Sequence, residues 1–298
     1  MLNHGAHRGI LVGVDGSPSS ELALRWAARE AASRNVMLTI AHVVPALVGG
    51  WGGVGMANTP LPAEFAEWQE AHAAKIVDQA VRRAESAAAP GSALQIHTEV
   101  VFAPLVPTLV DLTKEAEMTV VGCRGTGVVS RALMGSASTA LIHHAHGPVA
   151  VIHDEIPPPE SHAPVLVGID GSRASELATA IAFDEASWRG VDLVALHAWS
   201  DSDWPDFPDV QWSAIAATGE ETLAERLAGW QDRYPDVTVR REVVADHPAR
   251  HLLERSRSTQ LVVVGSHGRG GFAGMLLGSV GSAVVHAART PVIVARQR

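Results

Sequence analysis

Short apolar runs and longer stretches with helical spacing alternate along the chain. Gly9–Val14, Val36–Val44, Ile96–Val101, Met118–Gly122 and Pro148–Ile152 read as five strands. Val36–Val44 is apolar nearly throughout, as expected of a strand covered on both faces. Between the first two runs, Leu22, Leu24, Trp26, Ala27 and Ala31 recur at helical spacing, and Ser17-Pro18 supplies an N-cap and first-turn pair. Residues 45–62, rich in glycine and proline, predict a loop, and a long helix follows from Ala63 to Ala89, stopped by Pro90-Gly91. Further helices are expected over Pro104–Glu117 and Gly135–Ala145.

The programme then restarts. Val165–Ser172 repeats Ile10–Ser17, His197 stands where His42 stood, Glu242-Val243-Val244 repeats Glu99-Val100-Val101, and Pro291–Val294 repeats Pro148–Val151. Asp15 to Asp170 and His42 to His197 are offset by 155, whereas Glu99 to Glu242, Gly122 to Gly265 and Pro148 to Pro291 are offset by 143. The difference of 12 residues therefore falls between the second and third strands, where the first half carries its glycine-rich loop. Two homologous α/β domains follow, at residues 1–154 and 164–298, joined by a proline-rich linker at 155–163. Strands alternating with helices imply mostly parallel sheets with right-handed crossovers and helices on both faces.

Each half carries the same glycine pattern. Val120-Val121-Gly122-Cys123-Arg124-Gly125 is followed, after nine intervening residues, by Gly135-Ser136. Val263-Val264-Gly265-Ser266-His267-Gly268 is followed at the same spacing by Gly278-Ser279. A buried strand running through glycines into a helix N-terminus suits an anion, because backbone N–H groups can approach it and the helix end is positive. Sheets of this kind bind ligands beyond the carboxyl ends of strands where strand order reverses, so Asp15 and Gly122 are expected to converge on one crevice.

Charge and cysteine content narrow the partners. A net charge of −9 argues against nucleic acid and anionic membrane. No apolar run approaches the about 18 residues of a membrane span, and Cys123 is the single cysteine. The expectation is a soluble cytoplasmic protein. There is no P-loop pattern, and the lysines, Lys75 and Lys114, lie outside the glycine loops.

The strand ending in Val-Asp-Gly-Ser, the Gly-x-x-Gly with its spaced Gly-Ser, and the terminal Pro-Val-hydrophobic-Val strand occur in order in both halves. In these the chain resembles a tandem-domain universal stress protein of the ATP-binding type, over nearly its whole length. The resemblance implies two flavodoxin-like (Rossmann-like) domains, each a five-stranded parallel sheet of order 3-2-1-4-5. It also implies one ATP site per domain, with Mg²⁺, a role in stress or growth arrest, a homodimer and an unnamed protein partner. Carried over by position, Gly13, Val14, Asp15 and Val43 would flank adenosine in the first site. Gly122, Arg124, Gly125, Gly135, Ser136, Ala137 and Ser138 would wrap its ribose and phosphates. The second site would use Gly168, Ile169, Asp170 and Ala198, then Gly265, His267, Gly268, Gly278, Ser279, Val280 and Gly281. Ser138 faces Gly281 in this alignment, a hydroxyl lost from the second copy. Dimerisation is expected through terminal strands around Val149–Ile152 or Val292–Val294.

The plainer readings differ by residue. The glycines could serve only tight βα packing, and the two aspartates could be turn or capping carboxylates. Arg131 and Arg269 do not align and read as exposed loop residues, and Cys123 reads as a spacer because its counterpart is Ser266. His143, His144, His146 and His153 read as structural, and His42 and His197 as packing beneath the crevice. The tryptophans Trp51, Trp68, Trp199, Trp204 and Trp212 suggest loop anchors or an interface. Two rival functions remain: a slow ATP hydrolase or adenylyl-transfer enzyme using Asp15 or His267, and a nucleotide-free scaffold. The scaffold reading predicts full stability after Gly122→Ala.

Overall fold

The computed structural model describes residues 8–45, 63–88, 91, 93–125, 134–153, 162–198, 212–268 and 277–297. The glycine-rich loop at 46–62, Arg131, Arg269, Trp51, Trp199, Trp204 and most of the linker lie outside them. The chain divides into two compact units, Met1–Leu141 and Ile142–Arg298.

In the first unit β1 (Ile10–Gly13) leads through Val14-Asp15-Gly16 into α1 (Pro18–Arg34), followed by β2 (Leu38–Val44) and α2 (Ala63–Ala87). Then come β3 (Ile96–Phe102), α3 (Leu105–Leu112), a 3-10 turn at Thr113–Glu115, β4 (Met118–Gly122) and the start of α4 (Ser136–His144). The strands pair in parallel in the order β3-β2-β1-β4, with Ile10 opposite both Leu38 and Met118. Strands β2 and β4 are buried along their whole length, as is β1 up to Gly13. The outer strand β3 is not, leaving Phe102 47% exposed. The expected N-cap is in place: Ser17 Oγ accepts from Ser20 N at 3.2 Å, with Pro18 beginning the helix. Asn35, in the left-handed region at φ 54, ends it.

The second unit holds β5 (Val149–Ile152), β6 (Val165–Gly168), α5 (Arg173–Arg189), β7 (Leu193–Ala198), α6 (Trp212–Leu227) and α7 (Trp230–Arg233). It continues with β8 (Val239–Val244), α8 (Pro248–Ser256), β9 (Leu261–Gly265), α9 (Ser279–Ala287) and β10 (Val292–Ala295). Strands β8-β7-β6-β9-β10 are parallel and, counted within the repeat, follow the order 3-2-1-4-5. β5 joins this unit by pairing antiparallel with β10, Val151 opposite Val292 and Val149 opposite Val294. The last strand of the first repeat is thus built into the compact unit of the second.

That pairing corrects the expected route to a dimer. β10 is flanked by β9 on one side and β5 on the other, so it has no free edge for a second chain. An unpaired edge recruits the nearest matching strand, and in a tandem chain that strand is already tethered beside it.

The end of α4 meets this seam. His143 sits below the ordinary imidazole pKa, first because burial disfavours its charged form and then because His144, Arg296 and His286 repel a further proton. The unfolded chain therefore takes up the proton first as pH falls through 6.5, and stability is lost below that value. The urea midpoint should be lower at about pH 5.5 than at about pH 7.5, and His143→Gln should reduce the difference. A midpoint unchanged or raised on acidification would contradict this placement of the charge.

Candidate functional site

Each repeat builds the same turn at the end of its first strand. Asp15 Oδ1 accepts from Ser17 N at 3.0 Å, and Asp170 Oδ1 from Ser172 N at 2.8 Å. Gly16 and Gly171 pass through the left-handed region at φ 79 and φ 80, which favours glycine. Behind the turn, Ser175 Oγ accepts from Asp170 N and Gly171 N, both at 3.2 Å. A buried histidine pins the preceding carbonyl: His42 Nδ1 lies 2.7 Å from Val14 O and His197 Nδ1 2.6 Å from Ile169 O. The histidines therefore pack beneath the crevice, and the aspartates do cap their turns.

Their second oxygens face elsewhere. A Cβ on Gly125 would lie 2.8 Å from Asp15 Oδ2, and a Cβ on Gly268 would lie 2.8 Å from Asp170 Oδ2. The carboxylate and the second glycine of each Gly-x-x-Gly are thus brought together, leaving no room for a side chain between them. The first glycine has a different reason. A Cβ on Gly122 would come within 2.6 Å of the Ser19 backbone, and on Gly265 within 2.9 Å of Ala174 C. Gly122 and Gly265 are glycine because α1 and α5 press against the strand ends. Cys123 is buried there, its Sγ 3.7 Å from Ser19 Oγ.

Each loop closes on itself before its helix begins. Gly135 N donates to Cys123 O at 2.8 Å, and Gly278 N to Ser266 O at 2.7 Å. Gly278 then caps α9 without any side-chain hydrogen bond, so the first N–H groups of that helix are not consumed by a cap. α1 and α5 differ, since Ser17 and Ser172 cap them.

In the second unit these parts enclose one cavity of about 190 Å³. All eleven residues expected at the second site line it: Gly168, Ile169, Asp170, Ala198, Gly265, His267, Gly268, Gly278, Ser279, Val280 and Gly281. Asp170 and the glycine loop form its polar part. Beyond the expected residues, Leu196, Pro248, Leu252 and Val264 add an apolar wall, along with Ser175. Repetition marks two of these, because Ser20 precedes Ser175 by 155 and Leu109 precedes Leu252 by 143. Contact explains Leu252: its Cδ1 would lie 3.2 Å from a Cβ on Gly168, as Leu109 Cδ2 would lie 3.7 Å from one on Gly13.

Residues 7–153 and 162–296 each match the universal stress protein family. The chain belongs to that family. It is 54% identical over 291 residues to universal stress protein Rv2623 of Mycobacterium tuberculosis (strain ATCC 25618 / H37Rv), a match covering 97% of this chain and 96% of that one. It is 55% identical over 291 residues to universal stress protein Rv2005c of the same strain, covering 97% of each. Among solved structures, a universal stress protein from Archaeoglobus fulgidus DSM 4304 superposes with TM-score 0.69 at 19% identity, covering 97% of this chain and 98% of its own. That similarity speaks to the fold.

The two repeats of this universal stress protein are not identical at the crevice. Ser138 is buried and donates to Gly122 O at 2.6 Å, so its hydroxyl serves the loop rather than the opening. Its counterpart Gly281 packs directly on Gly265 O, where a Cβ would lie at 3.2 Å. The lost hydroxyl is therefore a difference in how α4 and α9 seat on their loops. Beside the Asp-Gly turn the first repeat places Ile76 and the second the Arg226 guanidinium, 2.9 Å from a Cβ on Gly171. His267 Nδ1 lies 3.0 Å from Ser266 Oγ, while the equivalent Arg124 donates its backbone N–H to Ser19 Oγ at 3.2 Å.

Gly122→Ala is thus a packing test with or without a ligand, contrary to the stability expected under the scaffold reading. It should cost about 1–3 kcal/mol in urea unfolding, because the methyl meets the Ser19 backbone as well as the Ser19 hydroxyl, and the backbone cannot swing aside. Gly135→Ala, whose nearest neighbour would be 3.5 Å away, should leave the midpoint nearly unchanged. Equal effects would show that the tight approach at Gly122 is misassigned.

Proposed function

We propose that this universal stress protein binds one adenine nucleotide, ATP, in each repeat and acts as a regulatory protein whose behaviour follows occupancy. The observation that carries this reading is the second cavity, which joins an apolar wall, a carboxylate and uncapped helix N–H groups in one opening. Adenine fits against Leu196, Leu252 and Val264, with the backbone around Ala198 at its edge. Ribose hydroxyls suit Asp170, which accepts hydrogen bonds, and phosphates suit Gly265, Gly268, Gly278 and Ser279. The first repeat offers the same set at Val43, Asp15, Gly122, Gly125, Gly135, Ser136 and Ala137, with Arg124 in place of His267. Mg²⁺ would ride on the phosphate oxygens with help from the Ser136 and Ser279 hydroxyls.

Binding rather than turnover is the reading the residues favour. Rapid phosphoryl transfer relies on positioned cations and a group that orients the nucleophile. In the second crevice His267 is the residue with a titratable ring, and it is engaged with Ser266. A role in stress or growth arrest, a cytoplasmic setting and a protein partner that senses occupancy belong to the same proposal.

Asp15→Ala combined with Asp170→Ala should remove nucleotide retention while the circular dichroism spectrum stays that of the parent. Each aspartate also caps its turn, so the double variant should unfold about 1–4 kcal/mol sooner. A folded double variant that still carries nucleotide would overturn the assignment of the aspartates.

A further inference from the structure

Helix α4 starts at Ser136, beside the first glycine loop, and ends at His144. The last carbonyls of a helix lack partners within it. Here Arg296, the residue directly after β10, supplies them: its Nη1 donates to Ile142 O at 2.7 Å and its Nε to Ala145 O at 3.1 Å. The opposite repeat returns the contact. His153, directly after β5, places Nε2 2.9 Å from Val285 O, near the end of α9.

These are one contact made twice in opposite directions. His153 and Arg296 are 143 residues apart, and so are Ile142 and Val285. The antiparallel pairing of β5 with β10 carries the residue leaving each strand to the helix of the other repeat. Each of these helices opens at a Gly-Ser that ends a glycine loop, Gly135-Ser136 or Gly278-Ser279, and closes against the other repeat. Both span nine residues, short enough to move as rigid rods.

We propose that Arg296 and His153 are positioning residues that couple the two candidate nucleotide sites, each holding the far end of the other repeat's phosphate-loop helix. The coupling rests on the nucleotide reading above; the crossed capping stands without it. A donor at the carboxyl end fixes where the N–H groups at the amino end point, and a cation there also favours the helix dipole. The two arms differ in kind. Arg296 makes two hydrogen bonds from its guanidinium fork, whereas His153 makes one contact through an imidazole, so the hold on α4 is the firmer one.

The test uses the full chain. Mg-ATP titration of Asp170→Ala reads the first site, and of Asp15→Ala the second. Arg296→Met should weaken the first site about threefold to tenfold and leave the second unchanged; His153→Leu should do the reverse. Arg296→Lys, which keeps the charge, should recover most of the first-site affinity. Hydrogen exchange without nucleotide gives a second readout: Arg296→Met should speed exchange in α4 alone, and His153→Leu in α9 alone. Effects confined to the mutated residue's own repeat, or equal at both sites, would overturn the proposal. So would crossed exchange with no change in affinity. Failure of the parent chain to take up Mg-ATP would instead sink the nucleotide reading, and the exchange pattern would then decide the capping by itself.

Discussion

The arrangement at each crevice depends on one close approach: the first turn of α1 lies against the end of β4 at a distance that tolerates no side chain on Gly122. α5 and Gly265 repeat it. That approach sets the depth of the strand end relative to the Asp-Gly turn. It also decides where the chain leaves the sheet, with Gly125 beside Asp15 and Gly268 beside Asp170. Dispersion and burial favour the tight packing, and the loss of a Cβ is its local cost. The carboxylates can then serve two ends, one oxygen holding the turn and the other turned toward the glycine loop.

A second constraint acts between the repeats. Parallel sheets of this kind end in a strand with one open edge, which attracts strands from other chains. Duplication within one chain answers this by pairing β5 with β10. The buried apolar residues of both strands, such as Val149 and Val151 facing Val294 and Val292, are what that pairing removes from water. It also moves the end of the first repeat into the second compact unit, so repeat and unit have different boundaries.

Much of this was legible along the chain because it is written twice. The repeated spacing located the strands and the glycine loops, and the family resemblance supplied eleven of the residues that line the second cavity. The offset of 143 also marked Leu109 and Leu252, yet a leucine on an amphipathic helix looks like any core residue until the strand it touches is known. Three features stayed hidden for physical reasons. Which glycine answers to packing and which to an opening depends on neighbours distant in sequence, as Ser19 is from Gly122. The hydroxyl of Ser138 read as a ligand group because sequence cannot show that Gly122 O already uses it. The partner of β10 is another strand of the same chain, and edge pairing has no signature in a single run of valines.

Nucleotide content of the purified chain tests the central claim most directly. The protein is prepared without added nucleotide and denatured, and the supernatant is separated by ion exchange. The account predicts ATP at about two per chain, or, if the sites empty during purification, a stabilisation of about 2.7 kcal/mol for each site filled when Mg-ATP is supplied at about 100 times its dissociation constant. A chain that releases no nucleotide and whose unfolding does not move with Mg-ATP would contradict it.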